Sequence, residues 1–225
     1  MTRIFKAMGL VCLVASATGA LGAPAVSAHT FNYEIDHTGL MAEAKSEQIL
    51  TTGAGELKCK KISLSASDPL NTKLLGVGST TDQTSLTFRP THTECNANIS
   101  NLGIVKATVE FTSCYIEITG ETTSETEHAP LHIGCNPGDE IHIKVTAVNV
   151  KCYTIPAQTV EGLHYENTGV GSARDINISA TAIGLDITKE GACGSGLEEF
   201  ATYQGELTLT GTDTNENQVG IWTTP

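Results

Sequence analysis

Basic side chains and aromatic rings are what this chain has least of. Thirteen lysines and arginines stand against 25 aspartates and glutamates, and Phe, Tyr and Trp make up 5% of its 225 residues. So acidic a chain is a poor partner for nucleic acid or anionic lipid, since both require basic patches. A single tryptophan, Trp222, leaves little for the aromatic platforms on which sugars stack. No C-x-x-C pair is present, which argues against a thiolate metal site. No G-x-S-x-G elbow is present either: Gly76-Val-Gly-Ser79-Thr and Gly169-Val-Gly-Ser172-Ala lack the last glycine and carry their serine one place too late.

Only one stretch is long and apolar, and it lies at the amino terminus. Arg3 and Lys6 precede the uncharged run Ala7 to Leu21, and Val26-Ser27-Ala28 offers small residues where a signal peptidase reads. Residues 1–28 are therefore read as a signal peptide cut before His29. A membrane anchor needs about 20 strongly apolar residues, and Gly9, Ser16, Thr18, Gly19, Gly22 and Pro24 dilute this run. Cys12 lies too early for a lipidation site, because apolar sequence continues past it. Removing residues 1–28 leaves 197 residues with 11 bases and 25 acids, a net charge of −14. The expected mature form is secreted or at the cell surface, with no membrane span.

Six cysteines remain: Cys59, Cys95, Cys114, Cys135, Cys152 and Cys193. An even number in an exported chain points to disulfides. Cys114-Tyr-Ile-Glu-Ile118 and Leu131-His-Ile133 alternate like strands on either side of the polar loop Gly120 to His128. Folded as a hairpin, they bring Cys114 opposite Cys135, within disulfide reach. Cys59–Cys95 and Cys152–Cys193 complete the simplest sequential arrangement, although six cysteines allow 15 pairings.

Threonine occurs 30 times in residues 29–225, interleaved with valine and isoleucine. Such β-branched residues favour pleated surfaces. Short alternating runs recur at Glu56 to Leu64, Thr84 to Phe88, Ile104 to Phe111, Ile141 to Val145, Asp175 to Ser179, Glu206 to Thr210 and Val219 to Trp222. Turn signals such as Asn136-Pro-Gly-Asp139 separate them. The expected fold is all-β: one antiparallel β-sandwich-like domain over 29–225, stapled by disulfides, with two possible β halves at 29–119 and 130–225. The best helix candidate is Gly39 to Gln48, which reads equally as a strand continuing through Ile49.

The chemical inventory is thin. Histidines 29, 37, 92, 128, 132, 142 and 164 are scattered, and surface positions are expected for them. His128, His132 and His142 are the nearest approach to a three-histidine site; His132 with Cys135 is a rival metal reading. Asp213-Thr-Asn-Glu-Asn217 imitates the start of a calcium loop but has Gln218 where the sixth position wants glycine. Asn98 and Asn177 head glycosylation sequons. No residue set reads as catalytic, cofactor-binding or metal-ligating.

Cys152-Tyr-Thr-Ile-Pro-Ala-Gln-Thr159, Tyr165-Glu-Asn-Thr-Gly169, Gly191-Ala-Cys193, Tyr203-Gln-Gly205 and Val219-Gly-Ile-Trp222, with Thr51-Thr-Gly53 ahead of Cys59, form a pattern along most of the mature chain. It resembles a group of exported, cysteine-containing, β-rich proteins of actinobacteria for which no activity is established. The resemblance implies a compartment and an architecture only. The expected function is that of a non-catalytic structural or interaction module whose partner is an extracellular protein or carbohydrate. The alternative is a secreted hydrolase acting on polysaccharide or cell wall through two carboxylates.

Overall fold

The computed structural model describes residues 30–34, 39–64, 85–100, 102–119, 129–146, 150–213 and 215–224. Within them the chain is almost entirely strand. The strands are β1 (Thr30–Tyr33), β2 (Gly39–Ala44), β3 (Gln48–Thr52), β4 (Gly55–Leu64), β5 (Ser85–Phe88), β6 (Pro90–Ile99), β7 (Gly103–Glu110) and β8 (Cys114–Thr119). They continue with β9 (Ala129–Cys135), β10 (Ile141–Val145), β11 (Val150–Ile155), β12 (Gln158–Thr168), β13 (Asp175–Lys189), β14 (Gly196–Thr212), β15 (Gln218–Val219) and β16 (Ile221–Thr224). No helix of the described residues is long and apolar enough to cross a membrane.

Of the two readings left open for Gly39 to Gln48, helix or strand, the strand is the one formed. These residues make β2 and the start of β3, and β2 pairs along β14 from Leu207↔Ala44 to Thr212↔Gly39. Leu40 is buried and the residues after it alternate, so the segment offers a strand face and no helical stripe.

The sheets are antiparallel, as expected, but the sandwich expectation needs correction. Strands β14, β3, β4, β6, β7, β10, β11 and β13 follow one another in hydrogen-bonded order, and β13 pairs back to β14. Eight strands thus close into a barrel. Closure depends on β13 and β14, which are far longer than the alternating runs that announced them. Their far halves pair as Lys189↔Gly196 to Leu185↔Ala201, and their near halves as Ala182↔Tyr203 to Ile176↔Leu209. The register shifts between these halves, where Gly184 (φ 82°) and Phe200 (φ 70°) turn left-handed. Past the bend the neighbours change. The near half of β13 is flanked by β12, which leads on through β9 and β8 to β5, while β14 is flanked by β2. Closure removes the exposed edges that two stacked open sheets would carry.

Strands of residues 29–119 lie beside strands of 130–225 throughout: β3 and β2 on β14, β7 on β10, β8 on β9 and β1 on β16. All three disulfides join the expected partners, Cys59–Cys95, Cys114–Cys135 and Cys152–Cys193. The first two are directly opposite in their ladders, between β4 and β6 and between β8 and β9. The signal segment and the loop Gly120 to His128 lie outside the described residues.

Two hydrophobic clusters fill the interior. One, around Leu50, Ile143, Tyr153 and Ile187, occupies the barrel. The other, around Phe31, Leu86, Ile176 and Ile221, lies under the extension and the β1–β16 pair. Ile116, Leu131 and Tyr203 pack against both.

Candidate ligand-binding cavity

Where the clusters meet, the packing leaves a cavity of about 120 Å³. Natural interiors hold few voids larger than a water molecule. Its walls are mostly aliphatic, from barrel residues such as Leu57, Ile143 and Leu185 to Leu163, Ile178 and Ala180 of the extension. Among the described residues no Asp, Glu, Lys or Arg lines it. Its polar side chains are His92, Gln48 and Tyr203.

A break in alternation brings His92 here. On β4, Leu57 and Cys59 point inward, and so do Ile62 and Leu64, so the facing parity changes at Lys60 and Lys61, which are both exposed. On β6, Cys95, Ala97 and Ile99 are buried at odd positions and Pro90 at an even one. The ladder keeps the same register on both sides but skips the Lys60/Glu94 position, where Glu94 has a φ of 55°. Unbroken alternation from Cys59 would aim Lys61 into the core; the kink instead leaves it outside, paired with Glu94. The same kink puts His92 on the cavity wall.

The His92 ring stacks on Phe111, with centroids 5.7 Å apart and planes 3° from parallel. Burial pushes its pKa from 6.5 down to about 4, so the imidazole is neutral at pH 7. Its Nδ1 is sealed from solvent and has no hydrogen-bond partner. As a residue His92 keeps intermediate exposure; it is the ring nitrogen Nδ1 that is shut in, unlike a histidine lying wholly on the surface.

Gln48 is 3% exposed and fully engaged. Its Nε2 donates to the carbonyls of Ser46 and Glu206, each at 3.0 Å, and its Oε1 accepts from the Tyr203 hydroxyl. Burial pushes the Tyr203 pKa well above its ordinary value, so the phenol stays protonated. The side chain of Gln48 crosses β14 at Gly205, where an added Cβ would come 2.1 Å from Oε1. Only glycine leaves that passage open.

The residues singled out in the sequence lie elsewhere. His132 Nδ1 is 2.7 Å from Thr159 Oγ1 on β12, and His142 Nε2 is 3.4 Å from Lys151 Nζ on β11. In sheet order β11, β13 and β12 separate β10 from β9, so these two histidines do not converge. His29, His37 and His128 lie outside the described residues. Among the described residues no three metal-ligating side chains gather. Asp213 is occupied by its own turn, accepting from the Asn215 and Asn217 amides at 2.8 Å and from Asn217 Nδ2 at 2.9 Å. Of the sequon residues, Asn98 is exposed on β6, whereas Asn177 accepts from Thr208 Oγ1 at 2.7 Å. Arg174 covers the Trp222 ring at 4.6 Å, which takes up one face of the only candidate sugar platform.

His92, Gln48 and Tyr203 were not marked as site residues by the sequence. The signal was present in the facing conflict across Lys60 and Lys61, which no straight strand can satisfy. The chain matches no protein-family model, no curated protein and no solved structure.

Proposed function

We propose that this chain is an exported, non-catalytic binding protein whose disulfide-braced barrel holds one small apolar molecule. The cavity carries the reading. At about 24 cal/mol per Å³, leaving a cavity of this size empty forfeits roughly 3 kcal/mol of stability. That is a sizeable share of the 5–15 kcal/mol typical of a domain. A ligand that fills the space returns it. An engineered apolar cavity of about 150 Å³ stays dry and takes up benzene, and a cavity of about 120 Å³ is of that order. The three bridges fit an oxidising compartment. The two-carboxylate hydrolase draws no support from this cavity, because no acid among the described residues lines it.

Toluene is a suitable probe. At ten times its Kd it raises the Tm of the oxidised chain by about 3–5 °C and moves the methyl resonances of Ile143 and Leu185. Ala180→Leu places three more carbons against the cavity wall. It stabilises the free protein by about 0.5–2 kcal/mol and abolishes the toluene response. Unmoved methyl resonances at saturating toluene overturn the proposal.

A further inference from the structure

The outer face of the barrel carries a polar hollow of about 240 Å³. Leu57 and Cys59 of β4 point inward, which turns Glu56, Lys58 and Lys60 outward. On β6 the buried Cys95, Ala97 and Ile99 leave Asn96 and Asn98 outside, and on β7 the buried Ala107 leaves Ile104 and Lys106 outside. The ladders set Asn98 between Glu56 and Ile104, and Asn96 between Lys58 and Lys106. Asparagine is shorter than any of these flanking side chains. Strand β6 is therefore the floor of a trough whose walls rise from β4 and β7, with Glu47 ahead of β3 also lining it. No described residue is hydrogen-bonded to the side-chain amide of Asn96 or Asn98, so both amides are open to a ligand.

We propose that this trough binds a neutral saccharide, and that Asn96 and Asn98 hold its hydroxyl groups. An amide offers a carbonyl acceptor and two N–H donors, and a hydroxyl both donates and accepts. Alternate residues of a strand stand about 7 Å apart, a spacing that one pyranose ring with its hydroxyls spans. The charges of the lining balance: Glu47 and Glu56 stand against Lys58 and Lys60, and Lys58 Nζ lies 3.0 Å from Glu56 Oε2. In so acidic a chain, a lining without net charge suits an uncharged ligand. Ile104, 78% exposed, offers the C–H face of a sugar the apolar contact that an aromatic platform would otherwise give. The inward side chains of β4 and β6 separate the trough from the interior cavity, so the two sites fill independently.

The probes are the neutral disaccharides cellobiose, maltose and mannobiose, with digalacturonate as the charged counterpart. Each is titrated into the oxidised chain and followed by ¹H–¹⁵N NMR. At least one neutral disaccharide moves the side-chain amide signals of Asn96 and Asn98 and leaves the methyl signals of Ile143 and Leu185, inside the barrel, where they are. The double variant Asn96→Ala, Asn98→Ala, changed only at exposed positions, weakens that disaccharide about 10-fold and leaves toluene binding unchanged. Added salt does not alter the affinity, as expected for an uncharged ligand. Unmoved amide signals with all three neutral disaccharides overturn the proposal, and so does a double variant that binds as well as wild type. Tighter, salt-sensitive binding of digalacturonate overturns it in favour of an anion held by the lysines.

Discussion

Acidification tests the burial of His92 without any ligand. Its folded pKa is about 4 against 6.5 for an exposed imidazole. Above pH 6.5 the ring is neutral in both the folded and unfolded chain and has no effect on the balance. As pH falls below 6.5 the unfolded chain takes up a proton that the folded chain refuses, so stability falls. The loss continues until the folded pKa is reached and then levels off. With 1.36 kcal/mol per pKa unit, the deficit at pH 4 is about 3 kcal/mol. Glu94 works near the acid end of the same range. Its hydrogen bond and charge pairing with Lys61 hold its carboxyl below the usual range, and that contribution also disappears on acidification. A comparison of wild type with His92→Phe cancels the carboxylates common to both. The assay is urea unfolding of the oxidised chain between pH 7 and pH 4. Wild type should lose about 3 kcal/mol more than the variant, with the divergence starting below pH 6.5. Parallel losses in the two proteins would show that His92 is protonated as readily in the fold as outside it, and the buried-imidazole account would fail.

Reduction of the bridges should lower the urea midpoint far more than any single core truncation. The sequence separations of 36, 21 and 41 residues correspond to about 3–4 kcal/mol each by loop closure, against about 1–3 kcal/mol for Val109→Ala; equal midpoints for reduced and oxidised protein would contradict this. Gly205→Ala should cost about 2–4 kcal/mol by displacing Gln48 from its carbonyl partners. In the double variant with Gln48→Ala the cost should fall well below the sum of the single changes, and strict additivity in unfolding would show that Gln48 is not what the new methyl strikes.

Local pattern made most of the strands legible. Ile141–Val145 appears with the bounds its alternation announced, and Cys114 faces Cys135 because two alternating runs around a polar loop have few other ways to pair. Closure was not legible, because it depends on long-range pairing of β13 with β14 through register shifts. Only Asp175 to Ser179 and Glu206 to Thr210 alternate cleanly enough to show as strands; the remaining length bends through Gly184 and Phe200. The segment Gly39 to Ala44 has helical propensity, and pairing along β14 overrides it. His92 was hidden for a related reason. Strict alternation cannot place both Cys59 and Ile62 inside, and the side that each residue takes is decided at one left-handed residue, Glu94.

The shortage of aromatic rings acquires a physical meaning once the barrel is known. An eight-stranded barrel is just wide enough to be filled by side chains or to hold one small ligand, so side-chain volume decides between the two. Here the cavity wall is made mainly of Ile, Leu, Val and Ala, with Phe88, Phe111 and Tyr203 as the only Phe or Tyr among the described residues that line it. Larger rings at Ile143 or Leu185 would close the space. The stability forfeited by leaving it open, roughly 3 kcal/mol, is about what one bridge contributes. The Cys59–Cys95 bridge does more than offset it. It pins β4 to β6 at the rung beside the skipped Lys60/Glu94 position, three residues from His92. A slip of one residue there would turn His92 outward and aim Lys61 at the cavity. Scarce aromatics, a kinked strand pair and a bridge that fixes its register therefore act on one object, an apolar space with His92 on its wall.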